Sequence, residues 1–545
     1  MSYPNFRIQN LKFPKPGIWN SEFGMPQILS LIFTFVSFNL SAQLTQPARY
    51  EREHKSYDHD FIVISMGEKG LALVCDTEKS EKNHKNWEVV FLDTALQESW
   101  STKLEIDNRM SLLGYDYRDG NVYLIYQEPE ANGREIILTV IQSAGHTVNQ
   151  HKFKPGVNIR FTHFSVLENK AIFGGYINTE PALLMYDFHT ENTKVIPGIF
   201  QKKVELMDVR INSNDSFNVL LVERSPTTSK NLVVRTYDTQ GLMLIDDVIP
   251  IEEGKSIVEA MTSTLIRDEL VILGTWTYGL GRQVAGIFSV KVDPFTEQKV
   301  NYYGLAELSH FLDYLKPKKA ARIKANAERR KNEGKPFEFR SYLSTVKIEE
   351  TKEGFCFLME AYDPSGYYNP RTGNPYSRYG NYPNYYSPYG YNASTMPMYY
   401  NSLPYGSNPS TLSNNSRTVN RSSLIFFDAQ GRVIADHTMK FQSVRQSTKD
   451  QVSDFIYSRD VTMLACKNEE EIIFQASGPD GITVSEEKIK PELKKNSETI
   501  HSESMENSSI RAWYNRYFYV YGYHTVKDHV DHTSRDVFYV NKIKV

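Results

Sequence analysis

A polar segment near the C-terminus holds a dense group of metal-type ligands. The stretch HTVKDHVDHTSRD contains His524, Asp528, His529 and His532. Imidazole and carboxylate groups are good ligands for Zn²⁺ and similar ions, and an irregular loop could wrap one. The spacing matches no zinc motif, and two histidines three residues apart indicate little without a rigid helix. The four residues are therefore candidates for a metal site, with a solvated polar loop as the alternative, and no cofactor is predicted.

Signatures of familiar catalytic sites are missing from the sequence. It contains no H-E-x-x-H, G-x-S-x-G or G-x-x-x-x-G-K-[ST] motif. Carboxylate and imidazole groups do occur in strand-like segments, and a pair of carboxylates could cleave a glycosidic bond if one protonates the leaving oxygen while the other attacks or activates water. These candidates are Asp116, His163, Asp208, Glu259 and Asp454. Nothing in the sequence marks one pair above the others.

Residues 363–421 form a tyrosine-rich insertion. Of the 44 residues from Tyr362 to Tyr405, 13 are tyrosine, and residues 364–420 contain no Asp, Glu or Lys. So much Pro, Gly, Asn and Ser prevents a periodic element, which predicts a long loop. Tyrosine offers a large apolar face and a hydroxyl at low entropic cost, so a binding role is predicted, with an unselected low-complexity expansion as the alternative. The candidate binding residues are Tyr379, Tyr382, Tyr385, Tyr386, Tyr389 and Tyr391.

A basic insertion covers residues 306–336. Leu308, Phe311, Leu312 and Leu315 form an apolar stripe at helical spacing, and Pro317 is expected to break or kink that helix. From residue 316 to residue 335, nine Lys or Arg residues face two Glu residues. The alternatives are a solvated helical face and a docking arm for an acidic partner or an anionic surface. The candidate contacts are Lys318, Lys319, Arg322, Arg329 and Arg330.

Charge and cysteine content exclude some classes of function. A net charge of -3 and a pI near 6.5 create no whole-chain field that would attract nucleic acid, so no nucleic-acid partner is expected. Cys75, Cys356 and Cys466 each lie in an apolar strand-like run, which favours buried small hydrophobes over disulfide or metal chemistry.

An apolar run near the N-terminus indicates export. The core from Ile28 to Phe38 is too short to span a bilayer comfortably, and Ser41 and Ala42 lie where a signal peptidase would cut. Residues 1–42 are therefore interpreted as an N-terminal extension and signal peptide, with Met25 as an alternative start and a buried strand or short core helix as the competing structure. We predict a periplasmic, outer-membrane-associated or extracellular protein without a transmembrane segment in the mature chain.

A strand–turn–strand pattern repeats along the chain. Its turn positions Asp93, Gln142, Asp187, Asp238 and Asp293 are 49, 45, 51 and 55 residues apart. Two further strand-like runs precede each pair, which makes four strands per unit. Four-stranded units at this period are typical of a β-propeller. A row of separate sandwiches is the competing architecture.

Residues 44–545 therefore resemble a β-propeller of an exported, bacterial envelope-type protein. The chain lacks the dipeptides of WD repeats and the marks of Kelch repeats, so the resemblance identifies a fold and no family within it. We predict an all-β fold with a single propeller of eight blades, or seven if the segment after Val452 does not form a full blade. The last unit has only three strands, and a strand near Leu44 to Lys55 is expected to complete it.

Strand parity places the insertions on one face. In a four-stranded blade, the connection between the second and third strands and the crossover to the next blade leave from the same face. The tyrosine-rich loop, the basic helix and the polar segment HTVKDHVDHTSRD are all predicted to lie on this face. The sequence therefore favours a non-catalytic binding or scaffold propeller that recognises a protein or glycan. The alternatives are a carbohydrate-active hydrolase or lyase with carboxylates in the central channel, and a structural subunit of an envelope assembly.

Overall fold

The computed structural model describes residues 44–54, 60–81, 83–128, 135–223, 231–279, 282–364, 396–397, 417–446 and 451–545. These residues form eight antiparallel sheets, each with four strands of the ring. The prediction of an all-β propeller is confirmed, and the number of blades is eight. The segment after Val452 forms a complete blade of its own.

The strands in chain order are β1 (Thr45–Glu53), β2 (Ile62–Ser65), β3 (Leu71–Glu81), β4 (His84–Leu92), β5 (Glu98–Asp107), β6 (Ser111–Arg118), β7 (Asn121–Gln127), β8 (Ile136–Gln142), β9 (Thr147–Phe153), β10 (Arg160–Leu167), β11 (Lys170–Ile177), β12 (Glu180–Asp187), β13 (Thr193–Val195), β14 (Val204–Ile211), β15 (Phe217–Glu223), β16 (Asn231–Tyr237), β17 (Met243–Pro250), β18 (Lys255–Thr262), β19 (Leu270–Tyr278), β20 (Gly286–Val292), β21 (Val300–Gly304), β22 (Leu343–Glu350), β23 (Gly354–Pro364), β24 (Met396–Pro397), β25 (Arg417–Asp428), β26 (Val433–Gln446), β27 (Ser453–Ile456), β28 (Thr462–Asn468), β29 (Glu471–Ser477), β30 (Thr483–Ile489), β31 (Glu498–Ala512), β32 (Tyr517–Asp528) and β33 (Thr533–Lys544). The blades are β2–β5, β6–β9, β10–β13, β14–β17, β18–β21, β22-β23-β25-β26, β27–β30 and β31-β32-β33-β1, and β24 pairs with the inner edge of β10.

Three aspartates at the connection between the third and fourth strands of their blades make the same turn. Asp238 Oδ1 accepts hydrogen bonds from the backbone N–H groups of Gln240 and Leu242, both at 2.8 Å. Asp93 and Asp428 make equivalent bonds two and four residues ahead. An aspartate that binds its own following backbone fixes a tight turn. The turn chemistry therefore explains why the period is visible in the sequence.

The N-terminal strand closes the ring. β1 pairs antiparallel with β33, with Arg49 opposite Asn541 and Tyr50 opposite Val540, and it forms the outer strand of the eighth blade. Its side chains also contact the first blade, since the Tyr50 hydroxyl donates to Glu98 at 2.6 Å and Arg52 pairs with Glu88 at 2.5 Å. One blade therefore combines the two ends of the described chain.

The basic insertion contains one α-helix, α1 (Pro317–Asn332), preceded by a 3₁₀ turn at Leu305–Glu307. The expected helix over the apolar stripe is wrong: Leu308, Phe311 and Leu312 are buried in the core, but they precede α1. Pro317 begins the helix instead of breaking it, because the first helical position needs no N–H donor. Within the described part of the chain, no helix combines the length and apolar character needed to span a bilayer.

Strand order places three connections at one end of the blades. α1 lies in the crossover from β21 to β22, β23 ends and β25 begins at this end, and residues 529–532 join β32 to β33. The first is a fourth-to-first crossover, and the other two join second and third strands. We call this end the crossover face. The connection from β1 to β2 also lies there, because it links the eighth blade to the first.

Candidate functional site

The acidic residues of the inner strands bind the neighbouring blades. Asp116 in β6 accepts the Val166 N–H of β10 at 2.8 Å, and Asp208 in β14 accepts the Thr262 N–H of β18 at 2.9 Å. Glu259 in β18 accepts the Thr345 N–H at 2.7 Å, and Asp454 in β27 accepts the Ala512 N–H at 2.8 Å. Four pairs of neighbouring blades are therefore joined in the same way, by an acidic side chain of one inner strand that accepts a backbone N–H of the next inner strand.

The four carboxylates are poor candidates for catalysis because each already binds a backbone N–H of the neighbouring blade. Asp116, Asp208 and Asp454 are fully buried, and His163 is only 4% exposed. Burial raises the pKa of Asp116 to about 8 and lowers the pKa of His163 to about 4. Asp454 also holds the buried Lys347 ammonium at 2.5 Å. The predicted channel carboxylates therefore hold blades together.

A cavity of about 360 Å³ opens at the crossover end of the eighth blade. It lies where β31 begins, where β32 ends and where β1 leads into β2. The described residues that line it include two histidines, three acids and a tyrosine. The lining consists of His54, Asp60, Ser502, Glu503, Ser504, Tyr523, His524, Thr525, Asp536 and Val537.

The pairing of β31 has two register shifts, one on each side of Glu503, the acid at the centre of the cavity wall. The register of β31 against β32 shifts between Ile500 and Ser502 and again between Ser504 and Ser509, and Glu503 is paired with His524 between them. Bulges re-aim side chains and are frequent next to active sites. The local backbone therefore presents Glu503 and His524 side by side on the cavity wall.

Glu503 is held as a carboxylate by three neighbouring groups. Lys467 Nζ, from β28 of the seventh blade, lies 2.9 Å from Oε1 and 3.0 Å from Oε2. The Tyr539 hydroxyl donates to Oε1 at 2.8 Å, and His524 Nε2 lies 3.3 Å from the same oxygen. Burial opposes the charge, but the contact with His524 and the Lys467 ammonium outweigh it and lower the pKa of Glu503.

His524 is a neutral imidazole with an assignable tautomer. Burial lowers its pKa, and its side chain is almost completely enclosed. Arg49 lies 3.4 Å from Nδ1, and a guanidinium can only donate, so Nδ1 is the acceptor and Nε2 carries the proton. His524 therefore presents an N–H toward Glu503 and supports its negative charge.

The mouth of the cavity is acidic and aromatic. Asp60 and Asp536 are exposed, and the Thr525 hydroxyl donates to Asp536 at 2.6 Å. The Tyr523 hydroxyl accepts the Phe61 N–H at 2.6 Å, and its ring lies 4.7 Å from that of His54. Burial and the neighbouring Asp60 raise the pKa of Tyr523, so the phenol stays protonated.

The cations predicted for binding are not among the described residues that line this cavity. The six candidate tyrosines from Tyr379 to Tyr391 fall outside the described residues. Lys318, Lys319, Arg322, Arg329 and Arg330 lie on α1 and are all exposed.

The metal candidates are separated by the strands. β32 continues to Asp528, so the predicted loop is reduced to residues 529–532. Asp528 pairs with Lys495 at 3.0 Å, and His529 contacts Thr499 at 2.8 Å, whereas His524 is buried in the sheet. The described residues contain no group of three or more His, Cys, Asp or Glu side chains arranged to hold a metal ion.

Sequence reasoning missed the central residues of the cavity. Glu503 lies in the polar stretch before the predicted strand IRAWY, and Lys467 follows an apolar run in TMLACKN. Hydropathy marks neither as buried. The only usable signal was the polar composition of the segment from residue 497 to residue 508, which breaks an otherwise apolar inner strand.

Comparisons with solved structures show the fold alone. The polysaccharide lyase Uly1 covers 92% of this chain and 99% of its own at 7% identity and a TM-score of 0.39. A prolyl endopeptidase covers 87% of this chain and 55% of its own at 9% identity and a TM-score of 0.38. The β-propeller domain of the Trilobed protease from Pyrococcus furiosus covers 79% and 93% at 10% identity and a TM-score of 0.33. No protein-family model matches the chain, and a search of curated proteins gave no match.

These comparisons correct the functional prediction. The prediction of a non-catalytic binding or scaffold propeller is not supported and is not kept: the solved structures named above are a polysaccharide lyase, a prolyl endopeptidase and the propeller domain of a protease. Similarity at this level transfers no activity. Any chemistry assigned to this chain must come from its own residues.

Proposed function

We propose that the chain cleaves glycosidic bonds in the cavity of the eighth blade. The observation that carries the proposal is an ionised, enclosed carboxylate, Glu503, in an open cavity with two further carboxylates, Asp60 and Asp536. Glycoside hydrolysis uses one carboxylate as nucleophile or base and one carboxylic acid as proton donor.

The roles follow from the surroundings of each group. Glu503 supplies the ionised carboxylate, because Lys467, Tyr539 and His524 all stabilise its charge. The proton donor comes from Asp60 or Asp536 at the mouth, where the leaving sugar would exit. The hydroxyls of Ser502, Ser504 and Thr525 can both donate to and accept from sugar hydroxyls.

Hydrolysis fits this wall better than elimination does. β-Elimination removes the proton next to a uronate carboxylate, and that step is easier when a cation lies against the carboxylate. The described lining contains no Lys or Arg. Lys467 and Arg49 lie behind the wall, on Glu503 and His524, and are almost completely buried.

Substitution Glu503→Gln tests the proposal directly. Hydrolysis of a panel of polysaccharides is measured by the release of reducing ends, and Glu503→Gln is expected to lower the rate by about 100-fold or more. The exposed Glu297→Gln variant is the matched control and should keep the wild-type rate. Thermal unfolding shows whether each variant is folded. If a folded Glu503→Gln protein retains the activity, or wild type cleaves no glycan in the panel, the proposal fails.

We also propose the cellular context. The apolar core from Ile28 to Phe38 supports export to the cell envelope, and the exposed cations of α1 support contact with an anionic surface. Fractionation of cells that express the full chain, and the same chain without residues 26–42, tests export. The shortened protein should accumulate in the cytoplasm, and identical distribution of the two would refute the proposal.

A further inference from the structure

The outer strand of the fourth blade, β17, has an exposed apolar edge. Within the described chain it pairs only with β16, so its outer edge has no neighbouring strand. Leu244 is 60% exposed and Val248 is 52% exposed, and Met243 and the preceding Leu242 are also exposed. Backbone N–H and C=O groups at an unpaired edge, beside exposed apolar side chains, form a template for another strand.

The outer strands of the other seven blades are protected against such pairing. Natural edge strands are usually protected by charged side chains or by being short. Five of these strands carry an exposed charged residue, namely Lys103 in β5, Lys152 in β9, Lys440 in β26, Lys488 in β30 and Glu53 in β1. The other two, β13 and β21, have only three and five residues. β17 has eight residues and contains no Lys, Arg or Glu, so its edge is the least protected.

The two acids of β17 already have partners in the propeller. Asp246 pairs with Arg235 of the adjacent strand β16 at 2.8 Å, and Asp247 accepts a hydrogen bond from Gln298 Nε2 at 3.1 Å. A charge protects an edge when an incoming strand would have to remove its water. The charge of Asp246 is balanced within its own sheet, so it opposes an incoming strand less than a free carboxylate would.

The apolar pattern of β17 is symmetric about Asp246. Leu244 and Val248 lie two residues before and after it, and Met243 and Ile249 lie three residues before and after it. Two antiparallel copies of β17 with Asp246 opposite Asp246 therefore pair Leu244 of each copy with Val248 of the other. Apolar side chains directly opposite each other stabilise a strand pair. Such a self-complementary contact is the isologous interface that two-fold dimers use.

We propose that a second copy of this chain binds the edge of β17, with the two strands antiparallel and Asp246 on the two-fold axis. The fourth blades of the two copies then form one continuous sheet. The two Asp246 carboxylates face each other across the axis, and their ion pairs with Arg235 offset the repulsion. One pair of strands buries less than a standard interface of about 1,600 Å², so we expect a dissociation constant in the micromolar range. This inference is independent of the proposed glycosidase function.

The oligomeric state of the full chain tests the proposal. Sedimentation equilibrium between about 1 and 100 µM should show a monomer–dimer equilibrium. The chain that begins at residue 44 should behave in the same way, which separates this contact from association through the apolar run Ile28–Phe38. Leu244→Lys should weaken the dimer by about tenfold or more, because it places a charge within the apolar pair. Phe295→Lys is the matched control: Phe295 is 93% exposed in the turn between β20 and β21, and its substitution should leave the dimer unchanged.

Disulfide trapping tests the register of the two strands. The native cysteines Cys75, Cys356 and Cys466 are buried and should not cross-link the copies. Asp246→Cys should form a covalent dimer under mild oxidation, because residues directly opposite each other have Cβ atoms about 4.5 to 5.5 Å apart. Leu244→Cys would lie about 13 Å from the same residue of the second copy in this register and should not cross-link.

Several results would overturn the assignment. They are a protein that stays monomeric over this concentration range, a dimer that Leu244→Lys leaves unchanged, and equal cross-linking of Asp246→Cys and Leu244→Cys. Association that disappears with residues 1–43 would also overturn it, as would a monomer whose edge binds only a synthetic strand peptide of unrelated sequence. Thermal unfolding shows whether each variant is folded. If Leu244→Lys does not fold, Val248→Lys serves as the second variant and should weaken the dimer to the same extent.

Discussion

At the scale of single residues, Lys467 of the preceding blade acts on the cavity by binding Glu503. Its side chain is 1% exposed and contacts both oxygens of Glu503. A buried carboxylate without its cation prefers the protonated form. Together with His524, Lys467 therefore lowers the pKa of Glu503, although Lys467 is not among the described residues that line the cavity.

Substitution Lys467→Met is expected to raise the pKa of Glu503. The acid limb of the pH–rate profile should then move to higher pH by about one unit or more. The free energy of unfolding at neutral pH should decrease by about 3 to 5 kcal/mol, since a buried charge loses its partner. Measurements are the rate of glycan cleavage between pH 4 and pH 8 and denaturant unfolding at pH 7.

Lys467→Arg is the control, because it keeps a cation at the position. The sign of the wild-type pH dependence follows from the lowered pKa of Glu503: its stabilising contribution is present above the ordinary glutamate value of 4.5 and is lost as the pH falls below it. A Lys467→Met protein that is folded and has an unchanged acid limb would show that Lys467 does not set the charge of Glu503.

At the scale of elements, four inner strands carry an acidic side chain that binds a backbone N–H of the next blade. Asp116 shows the arrangement most completely, with Oδ1 on the Tyr117 N–H at 2.8 Å and Oδ2 on the Val166 N–H at 2.8 Å. Both oxygens act as acceptors. An asparagine would turn its NH₂ group toward one of these donors and leave the donor unsatisfied.

Substitution Asp116→Asn is therefore expected to cost about 1 to 3 kcal/mol of unfolding free energy. The penalty should depend on pH. The folded pKa of Asp116, about 8, lies above the unfolded value, so the folded state binds the extra proton and wild-type stability falls as the pH rises from about 4 to about 8. Denaturant unfolding across this range should show a larger penalty at pH 4 than at pH 8.

The exposed Asp460→Asn variant is the matched control and should not show the loss. A penalty for Asp116→Asn that is constant between pH 4 and pH 8 would mean that Asp116 is ionised in the folded protein. If Asp116→Asn costs less unfolding free energy than Asp460→Asn, Asp116 does not stabilise the contact between the blades.

The strands and turns could be predicted from the sequence more readily than the contacts between blades. Aspartate turns such as Asp238 repeat at fixed spacing because they bind their own backbone, and a local bond leaves a local signal. The bonds from Asp116 and Asp454 join strands about 50 residues apart, so the sequence marks the acids without showing what they bind. The apolar stripe that begins at Leu308 correctly predicted buried side chains but wrongly predicted a helix. Turns can bury apolar side chains as effectively as helices do.

For the whole molecule, ring closure and the candidate site share one blade. The sequence predicted that the last unit lacks a strand and that the N-terminus supplies it. It did not predict the cavity, because His54 and Asp60 meet Glu503 and Tyr523 only after the ring is closed. A site assembled from both ends of the chain has no local pattern.

Removal of β1 should therefore affect stability and binding together. A chain that begins at residue 55 loses the pairing with β33, the buried Tyr50 ring, Arg49 and His54. A chain that begins at residue 44 keeps all of them and is the matched control. We expect the shorter protein to have a melting temperature lower by about 5 °C or more, because several kcal/mol of burial and hydrogen bonding are lost. It should also have no measurable affinity for oligosaccharides that bind the control.

The melting temperature is measured by calorimetry, and affinity is measured below the transition of the shorter chain. Addition of a synthetic peptide with residues 44–54 should restore both properties in part, since the vacant edge of β33 can pair with it. A shorter chain with the control's melting temperature would show that the ring does not depend on β1. A shorter chain that is less stable and still binds oligosaccharide with the control's affinity would place the binding site outside the eighth blade.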